Sequence, residues 1–226
     1  MEYVKINSLW KREGWYFDQD KKASKDYQKG RQSFIVGDYA SLEFGNVKHW
    51  SVEEKVDGTN IRIVYSGGIV RIGGRTNNAQ IPSALLSVLQ DLFPVDKLSS
   101  AFPPNDDGSF PNVVLYGEGY GPRIQACGHN YRGDPGFILF DVWVGGWWLM
   151  REGVGEVAAM LGIPMVPQIG VMTEEEIVDY VKGQPLSLCS RMKQVMEGVV
   201  CRTEPLTLYR SGKPLIFKLK CKEFVN

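Results

Sequence analysis

The chain has 226 residues, with 26 basic and 26 acidic side chains and a formal net charge of zero. No global positive field draws in a nucleic acid, so any such binding rests on a local cluster of Lys and Arg. Hydrophobic residues at 43% and charged residues at 23% exclude a disordered or fibrous chain and allow one substantial core.

From the amino terminus, the first fifty residues are polar and irregular. Lys11-Arg12-Glu13-Gly14 and the run from Asp18 to Lys29 alternate charge with little apolar period, which predicts a flexible or surface-wrapping lead-in over 1–50. At Trp50 the pattern changes. Ser51 to Val56 and Asn60 to Tyr65 read as paired strands around the turn dipeptide Asp57-Gly58. Gly67-Gly68 marks the next turn, and Ile69 to Ile72 a third strand leading to Gly73-Gly74-Arg75. Pro82 opens a predicted helix to Phe93, with Leu85, Leu86, Leu89 and Leu92 at helical spacing, and Phe102 to Pro111 is a loop.

Val113 to Gly117 and Phe137 to Val144 are strand-like, and Val144-Gly145-Gly146-Trp147 reads as a hairpin turn. Helices are predicted over Glu152 to Leu161 and Thr173 to Lys182, the second with a capping box from Thr173 and Glu176. Glu197 to Arg202 and Leu215 to Leu219 close the fold, joined through a Tyr209-Arg210-Ser211-Gly212 turn. There is no internal repeat. The pattern is α+β, dominated by antiparallel sheet, in one domain over 1–226 with its core at 51–226.

Cys127, Cys189, Cys201 and Cys221 form no C-x-x-C pair and have only His49 and His129 for company, which argues against a zinc site. With no signal-like amino terminus and no long apolar span, the expected setting is a reducing cytoplasm, without a membrane.

Lys55 carries the most information. It is followed two residues later by Asp57-Gly58, and further along come Leu115-Tyr116-Gly117-Glu118, Phe140-Asp141, Glu197-Gly198-Val199-Val200 and Lys218-Leu219-Lys220. A lysine attacks only as the neutral amine, and burial, a metal cation or neighbouring lysines favour that form. Lys218 and Lys220 are two apart on a strand and share a face, where they can hold a triphosphate. Glu118, flanked by Gly117 and Gly119 that permit close approach of a ligand, can accept from ribose hydroxyls. Glu197 can hold Mg2+ directly or through water, and Arg75 can hold a nucleotide or a strand end. Phe140 can stack on a purine, and Asn60 faces either solvent or phosphate and metal-bound water. Singly, each has a bland reading: a strand lysine in a charged run, solvated glutamates at strand ends, a loop arginine, a core phenylalanine. As an ordered set they suit moving a nucleotide from a triphosphate onto the protein and from there onto a polynucleotide end.

In that order the residues resemble the covalent nucleotidyltransferases: ATP-dependent DNA ligases, RNA ligases and capping enzymes. Within them the chain is most similar to the RNA ligase 2 family. The Glu54-Lys55-Val56-Asp57-Gly58-Thr59-Asn60 run, Gly74-Arg75-Thr76, Leu139-Phe140-Asp141-Val142 and the segment from Glu197 to Glu204 match it, and Lys5-Ile6-Asn7-Ser8-Leu9 with Lys11-Arg12 resembles the amino-terminal segment of phage-type members. The resemblance implies an antiparallel-sheet-rich, ATP-grasp-like ligase adenylation domain. It implies a lysyl–AMP formed on Lys55, transfer of AMP to a 5′-phosphate end, and its displacement by a 3′-hydroxyl. It places Glu54 against the adenine, Phe140 stacked on it, and Glu118 and Arg75 at the ribose or strand end. Asn60 falls at phosphate or metal-bound water, Glu197 at Mg2+ (or Mn2+), and Lys218 and Lys220 at the phosphates.

Two departures are expected to matter. The chain stops six residues after Lys220, without the carboxy-terminal or OB domain of fuller ligases, so self-adenylation is expected ahead of complete sealing, with a separate partner in the missing domain's place. Asp57 stands where some RNA ligases carry histidine and DNA ligases favour Asp, which leaves RNA against DNA open. RNA ends or a nicked duplex are the expected partners, in a host cytoplasm if the source is a phage. The alternatives are a minimal ATP-dependent DNA ligase, a capping guanylyltransferase that prefers GTP, and a non-catalytic nucleic-acid-binding module on the same fold.

Overall fold

The computed structural model describes residues 2–13 and 33–224. In chain order the strands are β1 (Asn7–Ser8), β2 (Trp10–Arg12), β3 (Phe34–Tyr39), β4 (Trp50–Lys55), β5 (Thr59–Ser66), β6 (Ile69–Gly74), β7 (Val113–Tyr120), β8 (Gly136–Val144), β9 (Trp147–Trp148), β10 (Gln168–Met172), β11 (Gly198–Arg202) and β12 (Ile216–Lys220). The helices are α1 (Ser83–Leu92), α2 (Val95–Ala101), α3 (Gly128–Tyr131), α4 (Arg151–Leu161) and α5 (Glu174–Lys182). No helix among the described residues is long and apolar enough to cross a membrane.

Two compact units are assembled, each from three stretches of chain. One comprises Met1–Val4, Glu54–Pro167 and Leu186–Met196; the other comprises Lys5–Glu53, Gln168–Pro185 and Glu197–Asn226. In the first unit a five-stranded sheet runs β6-β5-β7-β8-β9, and every pairing in it is antiparallel. Residues of a strand alternate between faces, and here the two faces have different chemistry. Ile61, Ile63, Leu115, Leu139 and Val142 point into a core with Leu85, Leu89, Phe93, Leu98, Val154 and Leu161 from α1, α2 and α4. Asn60, Arg62, Tyr116, Glu118, Ile138 and Asp141 lie on the other face, with Asn60 opposite Glu118, Arg62 opposite Tyr116 and Tyr116 opposite Asp141.

One irregularity shapes that second face. Tyr116 pairs with Asp141 and Gly117 with Leu139, which leaves Phe140 between them as an unpaired bulge. A bulge re-aims a side chain, and both Phe140 and Asp141 come to this face. The Tyr3 ring packs on Phe140 at 5.1 Å, and its hydroxyl donates to the buried Asp141 carboxylate. Burial, with the nearby Asp141 carboxylate opposing Arg62, raises the Tyr116 phenol to about 12, so this face presents it as a donor at any physiological pH.

In the second unit the sheet order is β1-β12-β11-β4-β10, parallel between β1 and β12 and antiparallel between β11 and β12 and between β4 and β10. Phe44, Trp50 and Phe217 interlock with ring centroids 4.7 to 5.8 Å apart. A buried ion pair joins Glu53 to Arg202 at 3.1 Å. The capping box on α5 forms as expected, with Thr173 N–H donating to Glu176 at 2.8 Å and Glu176 N–H to the Thr173 hydroxyl at 3.3 Å.

Three expectations change. The hairpin around Asp57-Gly58 does not form: β4 lies between β11 and β10, whereas β5 pairs with β6 and β7. The dipeptide turns the chain out of one sheet and into another, because alternation reveals a strand's faces and not its partner. Among its described residues the lead-in carries three strands, and Leu9, Trp10 and Phe44 are buried; residues 14–32, which include the run from Asp18 to Lys29, lie outside the described residues. Gly117 and Gly119 admit the Phe137 ring and the Leu85 methyls, whose atoms stand 2.2 and 2.5 Å from where a Cβ would sit, so they serve packing rather than ligand approach.

Gly58 is the backbone contact that sets the turn after Lys55. A Cβ there would lie 2.3 Å from the Gly119 carbonyl oxygen and 2.8 Å from Glu118 Cγ. Gly58→Ala is expected to lower stability by about 1–3 kcal/mol, read as a lower denaturant midpoint. An unchanged midpoint contradicts the close approach.

Candidate functional site

In the first unit, β4 ends on Glu54 and the half-buried Lys55. Val56 then anchors in a small apolar cluster with Tyr120, Tyr131, Ile138 and Val166, against which Phe140 and Cys189 pack. The turn that follows is tied down twice: Asp57 N–H donates to the Tyr131 hydroxyl at 3.3 Å, and Gln125 Nε2 donates to the Gly58 carbonyl at 2.9 Å. Lys55 is therefore held by its backbone on both sides.

Glu54 is 2% exposed, a carboxylate inside protein beside a lysine. It accepts from the Ser187 hydroxyl, from Leu188 N–H at 2.7 Å and from Cys189 N–H at 3.2 Å. Burying an acceptor this strong requires such partners. The price falls on a neighbour: burial first, then the Glu54 charge, pushes the Cys189 thiol up to about 12.

On the mixed face of the same unit's sheet, Asn60 and Glu118 sit opposite each other, and Phe140 is presented by its bulge. The Asn60 side-chain oxygen is buried and has no hydrogen-bond partner. A buried acceptor left open is costly, and a ligand hydroxyl or a metal-bound water would satisfy it. Arg75 is exposed just beyond β6. Next to it, Arg62 donates to Asn77 and Asn77 N–H donates to Glu2 at 2.9 Å.

In the second unit, Glu197 precedes β11, and Lys218 and Lys220 lie on β12 opposite Val200 and Gly198. Lys220 Nζ donates to Glu197 Oε1 at 2.6 Å. The strands approach so closely there that a Cβ on Gly198 would lie 2.0 Å from the Leu219 carbonyl oxygen, so Gly198 is what brings Glu197 within reach of Lys220. The structure thus joins Glu197 with Lys220, and Asn60 with Glu118.

Among the described residues, no group of three or more His, Cys, Asp or Glu side chains is placed to hold a metal. Mg2+ or Mn2+ brought in with a polyphosphate takes one or two carboxylates and keeps its waters, so a single carboxylate suffices for it. Within the second unit, Glu197 would supply such a carboxylate, shared with Lys220.

Sequence reasoning assigned no role to Tyr3, Asp141 or Ser187. The contacts of Tyr3 with Asp141 and of Ser187 with Glu54 span more than a hundred residues, and no local pattern marks them.

Comparison with known proteins follows this geometry. The family model described as RNA ligase matches residues 48–220, beginning before Lys55 and ending on Lys220. A search of curated proteins finds no match. Among solved structures, a mutant of Naegleria gruberi RNA ligase with ATP and Mn superposes with a TM-score of 0.56 at 17% identity, covering 76% of this chain and 49% of that one. Naegleria gruberi RNA ligase with PPi gives 0.55 at 18%, covering 76% and 49%. An archaeal ATP-dependent RNA ligase gives 0.54 at 20%, covering 79% and 44%. At these identities the likeness is one of fold, and the chain spans about half the length of the structures it matches.

Cys127 is exposed and Cys189 is not. Alkylation at roughly pH 8 is expected to modify Cys127 first and Cys189 only on unfolding, because a thiolate is the reactive form. Equal labelling of the two in the folded protein, by peptide mass spectrometry, contradicts the burial of the Glu54 surroundings.

Proposed function

The chain belongs to the RNA ligase family, and from that premise we propose that it is the adenylyltransferase portion of an ATP-dependent RNA ligase joining 3′-hydroxyl and 5′-phosphate ends. The observation that carries the reading is Lys55, fixed between a buried, hydrogen-bonded Glu54 and an anchored Asp57-Gly58 turn. A nucleophile needs such placement more than it needs strength, since positioning supplies much of the rate.

Lys55 Nζ attacks the α-phosphorus of ATP, a P–N bond forms, and the P–O bond to pyrophosphate breaks. An oxygen of the RNA 5′-phosphate then takes the AMP and releases Lys55. Finally the 3′-hydroxyl attacks that 5′-phosphorus, and AMP leaves. Glu54 accepts from the base, Phe140 stacks on it, and Glu118 and Arg75 bind the ribose or the strand end. Lys218 and Lys220 bind phosphate oxygens, Glu197 holds the metal, and Asn60 contacts phosphate or metal-bound water. When bound, Mg2+ or Mn2+ neutralises charge on the triphosphate. RNA ends are the proposed partner. Four free thiols and ATP as substrate fit work in the cytoplasm.

Incubation with α-labelled ATP and Mg2+, followed by denaturing electrophoresis, is expected to give a labelled, acid-labile band that Lys55→Ala abolishes with melting unchanged. A band that survives Lys55→Ala, or none from the folded wild-type protein with either metal, overturns the assignment. Faster sealing of a nick with RNA than with DNA on the 3′-hydroxyl side is expected; the reverse favours a DNA ligase. Glu197→Ala is expected to slow metal-dependent adduct formation by about tenfold or more while Tm moves by less than about 4 °C. A fall in Tm as steep as the fall in rate makes Glu197 structural.

A further inference from the structure

The hydroxyl that binds Glu54 has a fixed polarity. Ser187 Oγ accepts from Cys189 N–H at 3.2 Å and from Ser190 N–H at 3.0 Å. The Cys189 N–H is shared with Glu54 Oε2, whereas the Ser190 N–H belongs to Ser187 Oγ alone, and the one hydroxyl proton goes to Glu54. The segment is pinned elsewhere too: Arg191 N–H donates to the Asn130 carbonyl at 3.0 Å, the Ser190 hydroxyl to the same carbonyl at 2.8 Å, and Asn130 Nδ2 to Gln194 at 2.8 Å. Ser187 therefore meets the Glu54 carboxylate as a donor, and Glu54 faces donors from the protein on both oxygens. Oε2 takes two N–H groups, whereas Oε1 takes the Ser187 hydroxyl and retains capacity for one further strong donor. The Cys189 thiol also interacts with Glu54, as a weak donor.

We propose that Ser187 is a positioning residue that sets nucleobase selectivity, by fixing the direction of the Glu54 carboxylate so that its open acceptor site fits the exocyclic amine of adenine and repels the carbonyl oxygen that guanine carries in its place. The inference rests on the reading that Glu54 lies against the base, and it adds the residue that enforces the choice. A site committed to accepting discriminates strongly, because a mismatched acceptor leaves two buried lone pairs opposed.

The test is the ratio of kcat/KM for adduct formation with ATP and with GTP. Ser187→Ala is expected to lower the ATP preference by about tenfold, mainly through KM for ATP, while Ser187→Thr, which keeps the hydroxyl, retains most of it. Where the alanine variant does not melt cooperatively, Ser187→Cys, of similar size and a poor donor, takes its place with the same expected loss. Equal losses with ATP and GTP make Ser187 merely structural and overturn the proposal. Glu54→Gln separates the two readings. Selectivity that shifts in Glu54→Gln and holds in the Ser187 variants removes Ser187 alone; selectivity that holds in both removes Glu54 from the base.

Discussion

The Glu54 carboxylate, enclosed in protein immediately before Lys55, is the interaction on which the rest of the arrangement depends. A charge removed from water needs compensation on each oxygen, and here it comes from a hydroxyl and two peptide N–H groups of Ser187, Leu188 and Cys189. Those donors lie 133 to 135 residues along the chain. One carboxylate therefore ties the end of β4 to a remote segment, and a displacement of either would leave buried polar groups unpaired. Lys55 takes its fixed backbone position from this tie on one side and from the Tyr131 and Gln125 contacts to the turn on the other.

A second constraint is the divided sheet of the first unit. One face is aliphatic and covered by α1, α2 and α4, so the other is left for Asn60, Arg62, Tyr116 and Glu118. The bulge at Phe140 adds an aromatic ring to this polar face without breaking the aliphatic one, because Leu139 and Val142 still point to the core. Tyr3 closes on the bulge from the amino terminus, with its ring on Phe140 and its hydroxyl on Asp141. The open acceptor of Asn60 lies on the same face. In the second unit the close packing of β11 on β12 at Gly198 puts a carboxylate and an amine 2.6 Å apart, a pair suited to metal and phosphate.

Much of this was legible in the sequence, and the limits have physical causes. Strands and helices with a strong period were found close to their observed bounds, as for α1, α4, α5, β7 and β8, because periodicity is a local property. The order of Lys55, Glu118, Phe140, Glu197 and Lys218/Lys220 was read because each lies in or beside an apolar strand. Pairing was not legible: the dipeptide Asp57-Gly58 looks like a hairpin turn, yet β4 and β5 join different sheets. α2 and β10 were missed, both short and weakly patterned. The burial of Leu9, Trp10 and Phe44 was not legible in a lead-in read as polar and irregular, since what buries them is non-local. Ser187 gave no signal at all, because its role comes from a partner far along the chain and from two N–H groups that no side-chain pattern encodes.

The most direct measurement is the position of the nucleotide on the protein: digestion after incubation with ATP and Mg2+, and mass spectrometry of the peptides under conditions that preserve a P–N bond. AMP on the peptide that contains Lys55, and on the lysine itself when fragmented, is the result this account predicts. AMP on Lys218, on Lys220 or on any residue other than Lys55 would contradict it.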